Sequence, residues 1–339
     1  ADVHWHARGL WQMAAPLLRY FQNSRPQSHA RATQAFSRLI AHATDEHGLL
    51  MDAAGAQDLV RREGFRFVFR TAQAFDEAVQ RAAHLHAQFG VRYQAESAGQ
   101  LAQAEPALRR SLAGAVHWQD PWAVQDPGAL VQRYADLFVA RGGRVLLGDA
   151  ASLQAQGKGW AVQTTEGRCD AQQAVLALGP WADGMVRQLG YRFPLFIKRG
   201  YHQHYTSTAQ VQQPLLDAER GYVLAPMQRG LRLTTGAEFA PLHAPATPVQ
   251  LAKAEAIARE LVDLGPPLPE PPWLGARPCT ADMLPVMGPA PGHPGLWFNF
   301  GHAHQGFTLG PVAGRLLAEM LQGEAPCVDP APYLPQRFM

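Results

Sequence analysis

The residues best placed to do chemistry lie in two short runs. Residues 301–311 read GHAHQGFTLGP, between an apolar stretch, LWFNF (296–300), and the helix-like PVAGRLLAEMLQG. Glycines 301, 306 and 310 let a backbone approach a ligand closely, and the start of a helix offers unpaired N–H groups and a positive dipole end. That combination suits an anionic or electron-rich ligand edge; an ordinary strand-to-helix loop is the plain alternative. The second run is GARPCTADMLPVMG (275–288), in which Arg277 follows a proline-rich connector and precedes a turn. A guanidinium at such a place can grip a carboxylate with two parallel hydrogen bonds. By pattern alone Arg277 is equally a surface arginine.

Four His-x-His pairs follow the same logic at lower specificity: His4/His6, His84/His86, His202/His204 and His302/His304. Alternate residues of a strand share a face, so His202 and His204 are the pair that could chelate. No pair has a third ligand nearby in sequence, and no metal site is expected. There is no GxSxG, HExxH or Walker A pattern and no GxGxxG. GGRVLLG (142–148) has its glycines after a helix and before a strand, the reverse of the dinucleotide-binding order.

These runs need elements to hold them. Phe36, Leu39, Ile40 and Ala43 recur at helical spacing from Ala30, and His47-Gly48 is the expected stop. GFRFVFRT (64–71) alternates as a half-buried strand. Phe75, Val79, Ala82 and Phe89 trace a helix that stops at Gly90, and Ser97 with Gln100 reads as a capping box. Asp126-Pro127 opens a helix that Gly142-Gly143 closes, and RVLLGDA is then expected as a short apolar strand. A hairpin turns at 157–159, and QQAVLALGPWA (172–182) reads as a buried strand running into a Gly-Pro turn. Antiparallel strands fill 192–240, and an amphipathic helix covers 248–263. The rigid connector GPPLPEPPW follows. The chain thus alternates between βα units with apolar strands and antiparallel β with packed helices, which points to two interleaved domains in an α/β (mixed α+β) fold.

Composition narrows the function. The 339 residues are 47% hydrophobic and 17% charged, enough for a large core and about two domains. The net charge of +2 argues against a nucleic-acid partner. Of thirty basic residues only Lys158, Lys198 and Lys253 are lysine, a sign of base-composition bias. Cys169, Cys279 and Cys327 form no CxxC and fit a reducing compartment. No apolar run reaches the ~18 residues of a membrane span, and no stretch at the start of this sequence has the charged-then-apolar pattern of a signal peptide. A cytoplasmic location is expected, with peripheral contact to the inner membrane through the Trp- and His-rich first 25 residues as a possibility.

From about residue 30 onward the chain resembles the FAD-dependent amine oxidoreductases of the D-amino-acid oxidase superfamily, nearest the D-amino-acid dehydrogenase, glycine oxidase and sarcosine oxidase branch. QQAVLALGPWADGM, GARPCTADMLPVMG and LWFNFGHAHQGFTLGPVAGRLLAEML carry the resemblance, in the family's order. GFRFVFRT and the LAQAEPAL segment stand in place beside them.

The resemblance implies a Rossmann-like FAD domain interleaved with a substrate domain on an antiparallel sheet. Residues 1–46, 126–193 and 276–326 would form the first, 47–125 and 194–275 the second, and 327–339 a tail. It implies FAD along Gly179 and Trp181, with Gly301, His302, Gln305, Gly306, Phe307 and Thr308 near the isoalloxazine. It implies Arg277 as the carboxylate clamp, with Tyr222 and His302 lining the substrate pocket.

The implied reaction is hydride transfer from a small amino acid or N-alkyl amino acid to flavin. Oxygen or a quinone would take the electrons. In this family a GxGxxG βαβ unit precedes these segments, and this sequence starts about where that unit would end. An upstream segment, a second chain, or a truncated relative without FAD are the three expectations. A similar arginine block occurs in the oxidase domain that acts on a modified tRNA uridine, an alternative that the low net charge disfavours.

Overall fold

The computed structural model describes His4–Trp5 and the chain from Ala7 to Met339, with side chains from Met13 onward. The His4/His6 pair and much of the Trp- and His-rich start lie outside the described side chains.

A ten-stranded, mostly antiparallel sheet dominates. Its centre is the long strand Leu195–Tyr205, which pairs with Gly230–Thr234, Glu238–Phe239 and Trp273–Thr280. The order continues through Tyr222–Met227, Leu215–Asp217, Phe65–Phe69, Gly114–Trp118 and Tyr93–Ser97. The strand Trp273–Thr280 runs across the expected domain boundary at 276.

Strand parity gives this sheet two different faces. The odd positions Tyr201 and Tyr205 join Tyr222, Leu224, Leu231 and Leu233 in a core under the helix Val249–Leu261. The even positions Phe196, Lys198, Gly200 and His202 face the other way, opposite Cys279, Arg277, Gly275 and Trp273, and on the other neighbouring strand Thr234 and Arg232 stand opposite His202 and His204.

A smaller sheet sets Ala174–Leu176 parallel to Leu296–Phe300, which pairs antiparallel with Val286–Pro289. Helices Pro26–Ile40 and Gly306–Gln322 pack together through Leu39, Leu309, Val312 and Leu316. A three-stranded meander spans Gly148–Gln156, Gly159–Thr164 and Gly167–Ala171.

Local signals in the sequence are met where they are self-contained. Ser97 and Gln100 form the reciprocal capping box. Asp126 caps Pro127–Ala140 by accepting from the Ala129 N–H. Gly90 ends Ala72–Phe89 at φ 70°, where a side chain is disfavoured.

Four expectations need correction. The helix expected to stop at His47-Gly48 is broken earlier, at residues 41–42, and a second helix, Ala43–Ala54, runs through Gly48 to a left-handed Gly55. RVLL (144–147) is not a strand: among the described residues it gains no ladder, and Val145 and Leu147 stand 65% and 75% exposed. The strand 64–71 is covered on its arginine face as well, with Val68 fully buried and Arg66 ion-paired to Glu96 and Glu105 at 2.8 Å each. The final helix begins at Gly306, so Phe307, Thr308 and Gly310 lie within it and not in the preceding turn.

Candidate active site

Arg277 sits at the meeting point of the three motif segments. Its strand pairs with Leu195–Tyr205 on one side. The Gly179–Trp181 turn packs against the same strand. The Gly301–Ala303 turn is stitched to it by a bridge between Cys279 and His302 and by the Ala303 N–H donating to the Pro278 carbonyl at 2.9 Å. Two non-glycine residues with positive φ, Met283 (63°) and Ala303 (52°), lie in this one cluster, with Met13, Phe196 and Cys279. Strained backbone gathered beside a ligand site is a recurrent feature of functional clefts.

The Arg277 guanidinium lies over Gly200, where any side-chain carbon would overlap it. It donates to the carbonyls of Gly236 (3.1 Å) and Arg199 (3.3 Å). Among the described residues it has no carboxylate partner. Burial lowers its pKa, but arginine remains a cation. A half-buried guanidinium without an acid is costly unless a ligand brings the anion. The neighbouring Arg199 shows the contrast: it is fully buried and paired with Glu238 at 2.7 Å.

Around the final helix the geometry is open. Gly310 and Gly314 have empty space where a side chain would be. With Gly306, Phe307, His47 and Tyr134 they line a groove of about 580 Å³. Pro311 has no N–H, so the Phe307 carbonyl lacks its helical partner. The His47 Nε2 takes that place at 3.0 Å, and its Nδ1 meets the Tyr134 hydroxyl at 2.9 Å. The two contacts fix the tautomer: Nε2–H donates to the carbonyl, and Nδ1 accepts from Tyr134. His47 also stacks on Phe307 at 5.4 Å. Burial lowers the His47 pKa, which keeps the ring neutral. Nothing in the sequence singled out His47 or Tyr134. The proline four residues after Phe307 was the available signal.

His302 is the most telling group. Its ring is buried, its Nε2 has no partner among the described residues, and burial alone lowers its pKa to about 4. An orphaned nitrogen of this kind, next to a glycine-rich turn and an open helix start, is what a planar heteroaromatic ring with polar edges would satisfy. Gly301 holds φ 81° and closely approaches Thr280. Gln305 caps the helix by position with no side-chain bond, Phe307 is 38% exposed, and Thr308 is half-buried. Gly179 holds φ 53° and Trp181 is 62% exposed. Of these residues Phe307 and Trp181 are the exposed ones with large side chains.

Tyr222 is placed elsewhere. It is 1% exposed on the odd-numbered, helix-covered face, beside Arg70 and Asp217, while its neighbour Val223 aligns with Thr234 on the Arg277 face. A shift of one residue along a strand changes the face, and Tyr222 falls on the wrong one for the pocket. His202 and His204 do share a face, with rings 5.4 Å apart, but His202 stacks on Trp273 and His204 accepts from Arg232. Among the described residues no group of three or more His, Cys, Asp or Glu is arranged around a metal.

Lys198 and His304 were not foreseen as site residues. Lys198 lies directly opposite Arg277 in the register, and His304 feels the charges of both.

The family model for FAD dependent oxidoreductases matches residues 4–320. The chain belongs to that family, and its cofactor is FAD. It is 28% identical over 339 residues to a D-amino-acid oxidase of Bradyrhizobium diazoefficiens, covering 95% of this chain and 78% of that protein. It is 30% identical over 185 residues to a glycine oxidase of Pseudomonas putida, covering 54% of this chain and 51% of that protein. Among solved structures it is similar to glycine oxidase from Geobacillus kaustophilus, with a TM-score of 0.77 at 22% identity, covering 90% of this chain and 82% of that one.

Proposed function

We propose that the protein oxidises a small amino acid or N-alkyl amino acid, with Arg277 anchoring the substrate carboxylate. One observation carries this reading: a half-buried guanidinium with no acidic partner among the described residues, on the strand that both the Gly179–Trp181 turn and the Gly301–Ala303 turn contact. The relatives named above act, by their names, on glycine or D-amino acids.

Arg277 would hold the carboxylate and so fix the direction of the adjacent C–H bond. FAD, when bound, supplies the two-electron acceptor for the hydride. The amine would enter neutral, so its lone pair can drive departure of the hydride and leave an iminium ion, which water then hydrolyses. No acid or base is needed at the reacting carbon. His302 and His47 fit that requirement, because burial lowers both pKa values and keeps the rings neutral near pH 7. Gly301, His302, Gln305, Gly306, Phe307 and Thr308 would hold the flavin ring end, with the dipole of the final helix favouring negative charge. Gly179 and Trp181 would lie along the cofactor.

The same reading assigns the small sheet and the final helix to the FAD domain and the ten-stranded sheet to the substrate domain. Among the described residues the outer edge of Ala174–Leu176 has no partner, and Val175, Val145 and Leu147 are exposed. That edge supports a role as the place where a dinucleotide-binding βαβ segment packs.

Among the described residues no helix is long and apolar enough to cross a membrane. The exposed Leu18 and Phe21 on the helix Ala7–Asn23 support peripheral membrane attachment, which vesicle flotation tests. Turnover in air and with a quinone analogue under argon separates the two electron acceptors.

The test of the substrate role is Arg277→Ala. A sharp rise in substrate KM with flavin content unchanged supports it. Loss of flavin with an unchanged KM in the remaining holoenzyme contradicts it.

A further inference from the structure

We infer that the site takes an amino acid carrying a second anionic group, and that Lys198 reads that group; this rests on the assignment of Arg277 as the carboxylate anchor. Lys198 and Arg277 are direct cross-strand partners on one face of the sheet. Like charges in that position repel and are normally separated or neutralised. Here neither has an acid among the described residues. Glu238, beside Phe239, is spent on Arg199 and the Tyr201 hydroxyl on the opposite face.

The Lys198 ammonium is instead held by rings. It lies 4.4 Å from the centre of Tyr20, 5.5 Å from Phe196 and 5.7 Å from Phe239, and it donates to the Tyr20 hydroxyl at 3.3 Å. Aromatic faces and one neutral hydroxyl tolerate an ammonium without cancelling its charge. His304 and Cys279 each sense both Lys198 and Arg277, which places the two cations in one locus. His304 adds no anion: burial first, then those two charges, lower its pKa.

Gly200 and Gly275 are the next pair on that face, and the Arg277 guanidinium and the Trp273 ring lie in the space their missing side chains leave. The helix Ala7–Asn23 covers the locus from one side through Met13, Leu17 and Tyr20. Two cations side by side on one sheet face match a small dianion better than a ligand with one carboxylate. An ammonium also suits this task, since it is a compact point charge that needs no bidentate geometry.

The experiment compares matched substrates on the purified flavoprotein: D-aspartate against D-alanine, and iminodiacetate against N-methylglycine. The ratio of kcat/KM, diacid over monoacid, is expected to exceed one in at least one pair. It should fall about tenfold or more in Lys198→Met and return in Lys198→Arg. The fall should sit in KM, as expected for lost ground-state binding. Thermal protection by malonate should exceed that by acetate, and Lys198→Met should abolish the difference. A ratio that Lys198→Met leaves unchanged would overturn the inference and leave Lys198 as an anchor for the helix. So would malonate protecting no better than acetate. If a flavin-loaded protein oxidises none of the four amino acids, the amino-acid reading itself fails, and the malonate comparison still decides whether two anions are read here.

Discussion

Single residues carry the chemistry, and their surroundings decide what they can do. Arg277 keeps its charge and has no acid among the described residues, so on the proposed reading the substrate supplies one. Replacing it with Met should raise KM roughly 10- to 100-fold, matching the about 1.5–3 kcal/mol of a hydrogen bond to a charged group. Steady-state kinetics with quantified flavin checks this. His302 and His202 make a second prediction. Burial lowers both pKa values to about 4, with nearby Arg232 and His204 adding to the effect at His202. Unfolded histidines titrate near 6.5. Between those values the unfolded chain binds protons that the folded chain refuses. Stability is therefore full above about pH 6.5 and falls as pH drops toward 4. Urea unfolding should show a lower midpoint at pH 5 than at pH 7, and His302→Gln should narrow the gap. A gap untouched by His302→Gln would remove that ring from the explanation.

At the scale of elements, the site depends on what glycine and proline permit. Gly200 leaves the space that the Arg277 guanidinium fills. Gly200→Ala should displace that group and raise KM while leaving the circular-dichroism spectrum intact. Arg66 stitches the strand Phe65–Phe69 to Glu96 and Glu105 in a buried network. Arg66→Met strands two buried carboxyls and should cost about 3–5 kcal/mol, read from chemical denaturation.

The sequence was legible where the signal is local. Ser97 with Gln100, Asp126 with Pro127, and Gly90 each name their own cap. It was not legible where the outcome depends on a partner. RVLL has strand composition, but a strand needs a neighbour, and among the described residues 144–147 gains no ladder. Tyr222 shows the other limit. Its segment was correctly read as a strand, but the face a side chain takes depends on a register that no local pattern announces. Lys198 was visible only as one of three lysines. Its meaning came from the strand opposite.

At the scale of the molecule, one architecture explains why distant segments share a site. The strand Leu195–Tyr205 buries its odd positions under the helix Val249–Leu261 and turns its even positions to the face that carries Arg277. The turns Gly179–Trp181 and Gly301–Ala303 both lean on the strand that carries Arg277. The family motifs were legible in the sequence because each is a short turn that follows a strand. Their convergence was implied by the resemblance and is a property of the whole fold.

The most direct test is an anaerobic titration of the purified flavoprotein with glycine, D-alanine and D-aspartate, following the visible absorbance of the flavin. Saturable bleaching by at least one of them is predicted, with the half-saturating concentration rising sharply in Arg277→Met. A flavin that stays oxidised with every amino acid, or a half-saturation that Arg277→Met leaves in place, would contradict the account.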